Sequence, residues 1–312
     1  MAPVSHHTHA GHAHAHAPVR DADRRYLAGA LALLVAFLVA EVVVAVLARS
    51  LALLSDGGHM LTDVAAVALA LVAARLALRP AAGAWTFGMH RVEILSAAVN
   101  GVTLLVVAVI VAIEAVRRLA HPPDVRGWPV VLTAVAGCLV NLVVAWLLAR
   151  ADRSSLNVEG AYQHVLTDLY GFLGTLVAGL VIVATGWSRA DPLASLLVAG
   201  LMLHAAWGLL RDSGRILLEA APAGTDLAGM RVHLLRVPHV QEVHDLHVWT
   251  VASSLPALSA HVVVDEACFA DGHAPQLLDE IQACIAGHFD VEHSTFQLEP
   301  PGHADHEAGA HA

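Results

Sequence analysis

Lysine is missing from this chain: all 17 of its basic residues are arginine. Charge of either sign is scarce, at 14% of 312 residues, and aromatics are scarcer still, at 5%. With a formal net charge of −10 and so few cations, no nucleic-acid partner is expected. The three cysteines, Cys138, Cys268 and Cys284, form no CxxC pair, so neither a disulfide framework nor a thiolate zinc site is indicated. No GxxxxGKS or GxxxxGKT phosphate loop occurs, which counts against an ATP-driven pump. Residues 1–18 are polar and rich in His and Ala, so no cleavable apolar leader is expected there.

What the chain does have is apolar residues in long blocks. They make up 57% of it and give a mean hydropathy of +0.64. The blocks are about 20 residues long, the length a helix needs to cross a ~30 Å hydrocarbon core. Six such spans are predicted: Tyr26–Ala48, Asp56–Leu78, Val92–Leu119, Trp128–Leu148, Gly160–Thr185 and Asp191–Leu210, the last running on towards Leu218. Pro122-Pro123 breaks the third, and Gly186 ends the fifth. With the N-terminus inside, the inner segments carry Arg20, Arg24, Arg25, Arg75, Arg79, Arg91, Arg150, Arg153, Arg211 and Arg215. The outer ones carry only Arg49, Arg117, Arg118, Arg126 and Arg189. The positive-inside rule then places both termini in the cytoplasm of a multi-pass protein of the cell's inner or plasma membrane.

After Pro222 the pattern changes. Thr225-Asp226 reads as a helix cap, 240–251 and 258–265 as strands, 275–287 as an amphipathic helix and 291–299 as a third strand. The expected division is a His-rich arm at 1–25, a six-helix membrane domain at 26–219, an α+β (αββαβ) domain at 220–300 and a His-containing tail at 301–312. The arm's His6, His7, His9, His12, His14 and His16 read as a metal-buffering segment, the plainer reading being a tail whose histidines are incidental.

Two stretches carry chemistry. His59 and Asp63 lie four apart in the second span, as do His164 and Asp168 in the fifth. On a helix, that spacing puts imidazole and carboxylate on one face. Two such faces opposed make a pocket of two nitrogens and two oxygens, which suits zinc. A bare carboxylate in a membrane span costs about 2.5–3.5 kcal/mol on insertion scales, and a divalent cation would offset it. The plainer reading is a polar lock between helices without metal. Glu41, Asn100, Glu114 and Asn141 read as interhelical hydrogen-bond partners, and His204 as a packed or interfacial histidine.

These features together resemble the cation diffusion facilitator family, in particular its zinc-exporting bacterial members. The resemblance is carried by Glu41, by Ser55-Asp56-Gly57-Gly58-His59-Met60-Leu61-Thr62-Asp63, and by Thr86-Phe87-Gly88-Met89-His90-Arg91. Further matches are Ser155-Leu156-Asn157-Val158, His164 to Asp168, Asp191-Pro192 and His244-Asp245-Leu246-His247-Val248-Trp249. It implies six transmembrane helices, a metallochaperone-like cytoplasmic domain, a homodimer formed through that domain, and exchange of metal for protons. It puts the transport site on His59, Asp63, His164 and Asp168. A regulatory site falls on His244, His261 and Glu299, with His293 as a further candidate. Zn²⁺ is then the substrate and regulatory ligand, with Cd²⁺ or Co²⁺ as co-substrates. No cofactor and no catalytic residue are expected. A membrane metal sensor or store that binds without transport is the competing expectation, and a passive channel a third.

Overall fold

A computed structural model describes residues 17–47, 51–121, 127–253, 255–289, 291 and 293–303. The histidines of the N-terminal arm lie outside these residues, as do His306 and His311.

Six long helices come first: α1 Ala17–Leu47, α2 Leu51–Ala77, α3 Arg91–Ala120, α4 Gly127–Leu148, α5 Leu156–Thr185 and α6 Ala190–Leu217. Each contains a stretch long and apolar enough to cross a bilayer. The shortest, α4, has 22 residues and is about 33 Å long at ~1.5 Å per residue. Large apolar side chains such as Val39, Val109, Leu139 and Val177 point outwards, as a lipid-facing surface requires. Helix α1 starts at Ala17, well before the apolar run begins at Tyr26. Its polar first turns are held by Asp23, whose Oδ1 accepts from the Asp152 amide at 2.7 Å.

The buried side chains sort the six helices into two packed bodies. Leu27, Leu34, Val67, Leu71, Val144, Leu148, Val158 and Val165 form one core across α1, α2, α4 and α5. Leu104, Ala108, Val198, Met202 and Leu209 form another between α3 and α6. Close approach within the first body depends on Gly137 of α4, which lies against the ring of Phe172 on α5; a Cβ there would overlap the ring. Gly137→Ala is therefore expected to cost about 1–3 kcal/mol, measured as a lower unfolding temperature in detergent. An unchanged unfolding temperature would contradict this packing.

The remaining residues build a small α+β domain: α7 Leu227–Leu234, β1 Val240–Ala252, β2 Leu255–Val264, α8 Ala267–Ala270, α9 Ala274–Phe289 and β3 His293–Glu299. Asp226 caps α7 by accepting from the Gly229 amide at 2.8 Å. Strands β1 and β2 pair antiparallel, and β3 adds parallel to β2, so the sheet order is β1-β2-β3. The parallel step requires a crossover, which α9 supplies. Met230, Leu234, Leu258, Val262, Leu277, Ile281 and Ile285 fill the core between sheet and helices. The single turn of α8 was not expected; four residues are too few for a hydrophobic period to show.

Among the described residues, polar contacts that tie the membrane helices to the domain and its linker include the following two. Ser253 Oγ accepts from the Leu156 amide at 3.0 Å. Arg91 and Glu219 pair at 3.0 Å, both largely exposed, so that pair contributes little energy. A cavity of about 860 Å³ lies beside them, between residues 84–92 and β1.

Candidate functional site

The membrane site is built where α2 meets α5. These helices run antiparallel, and two contacts fix their register. His164 Nε2 lies 3.1 Å from Asp63 Oδ1. An equal number of residues along each helix, Asn157 Nδ2 donates to the Ala70 carbonyl at 2.7 Å. One turn in the other direction, the same register sets position 59 level with Asp168. The His59 side chain lies outside the described residues, so only its place on α2 is fixed.

Asp63, His164 and Asp168 offer ligand atoms that all lie within 4.8 Å of one another. His164 Nε2 is 3.9 Å from Asp168 Oδ2. All three are buried, with Asp63 at 2% and His164 at 3% exposure. His164 Nδ1 and Asp168 Oδ2 are sealed from solvent without a hydrogen-bond partner. With carboxylates ionised and imidazole neutral, one divalent cation would cancel the group's charge and could take up the unpartnered lone pairs. Asp63 lies near the middle of α2. Asp63 therefore meets His164 and Asp168 although the two helices run in opposite directions.

A second group forms at one end of the domain's sheet. His244 on β1 stands directly across from His261 on β2, their ring centroids 5.1 Å apart. Glu299, at the end of β3, bridges them: Oε2 is 3.1 Å from His244 Nε2 and Oε1 is 2.7 Å from His261 Nδ1. Glu299 is 1% exposed. Its ligand atoms and those of both histidines also fall within 4.8 Å of one another. Gln297 Nε2 donates to Glu299 Oε1 at 2.8 Å. Sequence reasoning missed Gln297, although a strand neighbour two residues from Glu299 shares its face.

His293 is not brought to this group. It begins β3 opposite Ala257, the length of the seven-residue strand away from Glu299, or roughly 20 Å at ~3.3 Å per residue. Its ring packs edge-on against Phe87 at 5.8 Å. His247 is also kept apart. A ladder irregularity after His244, with Asp245 at φ 46°, turns it towards the large cavity. In the membrane helices, Asn100 and Asn141 are buried, and Glu114 pairs with Arg118 at 3.0 Å. His204 faces outwards on the wall of an α5–α6 groove.

Residues 27–218 match the family described as "Cation efflux transmembrane domain", and residues 222–301 match "Cation efflux protein, cytoplasmic domain". The chain belongs to the cation efflux family. This cation efflux protein is a membrane transporter and not an enzyme. It is 41% identical to "Zinc transporter ZitB" of Escherichia coli (strain K12) over 94% of the chain and 92% of that protein. It is 41% identical to "Metal cation efflux system protein CzcD" of Cupriavidus metallidurans over 93% and 90%. It is 35% identical to "Cadmium, cobalt and zinc/H(+)-K(+) antiporter" of Bacillus velezensis over 94% and 93%. The expected architecture of six membrane helices followed by a small α+β domain is the one observed.

Proposed function

We propose that the protein exports Zn²⁺ from the cytoplasm in exchange for protons. Its site, His59, Asp63, His164 and Asp168, would open alternately to the two sides of the membrane. The observation that carries this reading is the buried contact of Asp63 with His164 across two separate helices. Ligands shared between helices can be separated by relative helix motion, as a pump needs and a fixed store does not. The zinc named for ZitB and the proton exchange named for the Bacillus protein support the same reading. Cd²⁺ and Co²⁺, named with that protein, suit the same donor set.

Protons belong to the mechanism because they take the lone pairs the metal needs. Bound Zn²⁺ requires neutral imidazole and ionised carboxylates. Protonation on the acidic face releases the ion, and deprotonation in the cytoplasm readies the site again. Exchange for one proton leaves one net charge to move against the potential, about 2.3 kcal/mol per 100 mV; exchange for two leaves none.

The cytoplasmic group of His244, His261 and Glu299 would hold a regulatory Zn²⁺. Binding there would favour one arrangement of a homodimer joined through this domain. Both termini would lie in the cytoplasm, with the His-rich arm collecting metal for the membrane site. Glu299→Gln keeps the shape but removes the charge that bridges both histidines. In an Asp63→Asn background, where the membrane site is disabled, it is expected to abolish the remaining tight Zn²⁺ binding, measured as metal content after desalting. Unchanged metal content would rule the site out.

Everted membrane vesicles test the transport reading. Respiring vesicles should accumulate labelled Zn²⁺ in their lumen and lose it when nigericin collapses the pH gradient. Binding without luminal accumulation would identify a sensor or store instead.

A further inference from the structure

Two charges sit at the unfavourable ends of their helices where the membrane spans meet the α+β domain. Arg91 is the first residue of α3, beside that helix's positive pole. Glu219 lies just past the end of α6, beside that helix's negative pole. Glu219 also has φ 58°, a left-handed backbone that strains a side chain. It closes the helix at the position glycine commonly takes: the Glu219 amide donates to the Ile216 carbonyl at 3.1 Å and the Ala220 amide to the Arg215 carbonyl at 2.9 Å. In return the two side chains form their 3.0 Å pair, which at 41% and 61% exposure contributes little. Helix stability therefore explains neither charge, and the pair explains little of either.

Both residues line the cavity of about 860 Å³ between residues 84–92 and β1, a size usual for ligand pockets. They are the fixed charges on its wall, which also carries Trp85, Phe87, Leu95 and Trp249. Leu95 lies near the start of α3, inside the apolar span, and is 52% exposed. The cavity is therefore continuous with the lipid-facing surface at the level where that span begins. Trp85 and Phe87 are exposed beside it, as aromatic side chains at a membrane–water boundary often are.

A guanidinium and a carboxylate side by side at a membrane boundary match a headgroup that carries both charges. The pair joins Arg91 Nη2 to Glu219 Oε1, which leaves further guanidinium N–H donors and the second carboxylate oxygen to a ligand. Arg91 can hold a phosphate while Glu219 accepts from an ammonium, with their own contact kept. An anionic headgroup without an amine would face the Glu219 carboxylate uncompensated, and a quaternary ammonium has no N–H to donate to it. We propose that this cavity binds the headgroup of phosphatidylethanolamine, a phospholipid with a phosphate and a primary ammonium, drawn from the leaflet on the domain side. Its acyl chains lie along Leu95 and the lipid-facing side of α3. The inference stands apart from the transport reading, because it uses no residue of either metal group.

The test uses the purified full-length protein in detergent, given equal amounts of phosphatidylethanolamine, phosphatidylglycerol and phosphatidylcholine with the same acyl chains. Native mass spectrometry reads the lipid retained per chain. Phosphatidylethanolamine should be retained about tenfold over each of the others, the factor that a hydrogen bond to a charged group supplies. Glu219→Gln, which keeps the shape, should remove that preference at an unchanged unfolding temperature. Glu219→Gly, which relieves the positive φ, should also remove it and unfold no earlier than the parent. Equal retention of the three lipids by the parent, or a preference kept by either variant, would overturn the proposal. Displacement of the bound lipid by chain-free phosphoethanolamine at equal concentration would overturn the membrane source.

Discussion

Replacing Asp63 with alanine is expected to reduce Zn²⁺ flux by more than a hundredfold. Loss of a group that merely orients a ligand already costs about 10–100-fold in metal affinity, and Asp63 is proposed as a ligand itself. The change also removes the acceptor 3.1 Å from His164 Nε2, so a 3%-exposed imidazole loses its cross-helix partner. Leaving a buried donor unsatisfied costs about 1–3 kcal/mol, which would lower the yield of folded protein. Asp63→Asn separates the two effects: it keeps a hydrogen-bonding group of the same shape without the charge. It should fold as the parent does, judged by gel filtration and thermal unfolding in detergent, and still transport at under roughly a hundredth of the parent rate. Parental flux from well-folded Asp63→Asn would remove Asp63 from the transport site.

Acidity should have an effect of similar size. Every donor proposed for the membrane site would bind metal through a lone pair that a proton also takes. Zn²⁺ binding is therefore expected to be strongest at the alkaline end of the physiological range and to weaken as pH falls. The expected loss is about tenfold per pH unit for each proton displaced, since one unit corresponds to ~1.36 kcal/mol per proton. Between about pH 8 and pH 6, a one-proton exchange would weaken binding about a hundredfold. Calorimetry in two buffers of different ionisation enthalpy counts the protons released. A pH-independent affinity, or no proton release, would contradict a shared metal and proton site.

The membrane architecture was legible in the sequence because a bilayer imposes a length and an apolarity that composition shows directly. The HxxxD pairs were legible because a four-residue spacing fixes a helical face. Whether the two faces meet was not, since hydropathy is silent on the register between helices. That register depends on tertiary contacts: Asp63 with His164, and the Asn157 amide on the Ala70 carbonyl. In the α+β domain, the adjacency of His244 and His261 followed from the strand pattern. The sequence reading placed Glu299 with them and kept His293 as a further candidate, because discarding His293 requires the parallel pairing of β3 on β2. Helix α1 begins ahead of the apolar run for a related reason, since its first turns are polar and a distant amide at Asp152 supports them.

Zinc movement into proteoliposomes under an imposed pH gradient tests the central claim most directly. With the lumen about one unit more acidic than outside, the wild-type protein should drive Zn²⁺ inwards, reverse direction when the gradient is reversed, and show neither response as Asp63→Asn. Equal uptake with and without the gradient, or gradient-driven uptake by Asp63→Asn, would contradict proton-coupled export through this site.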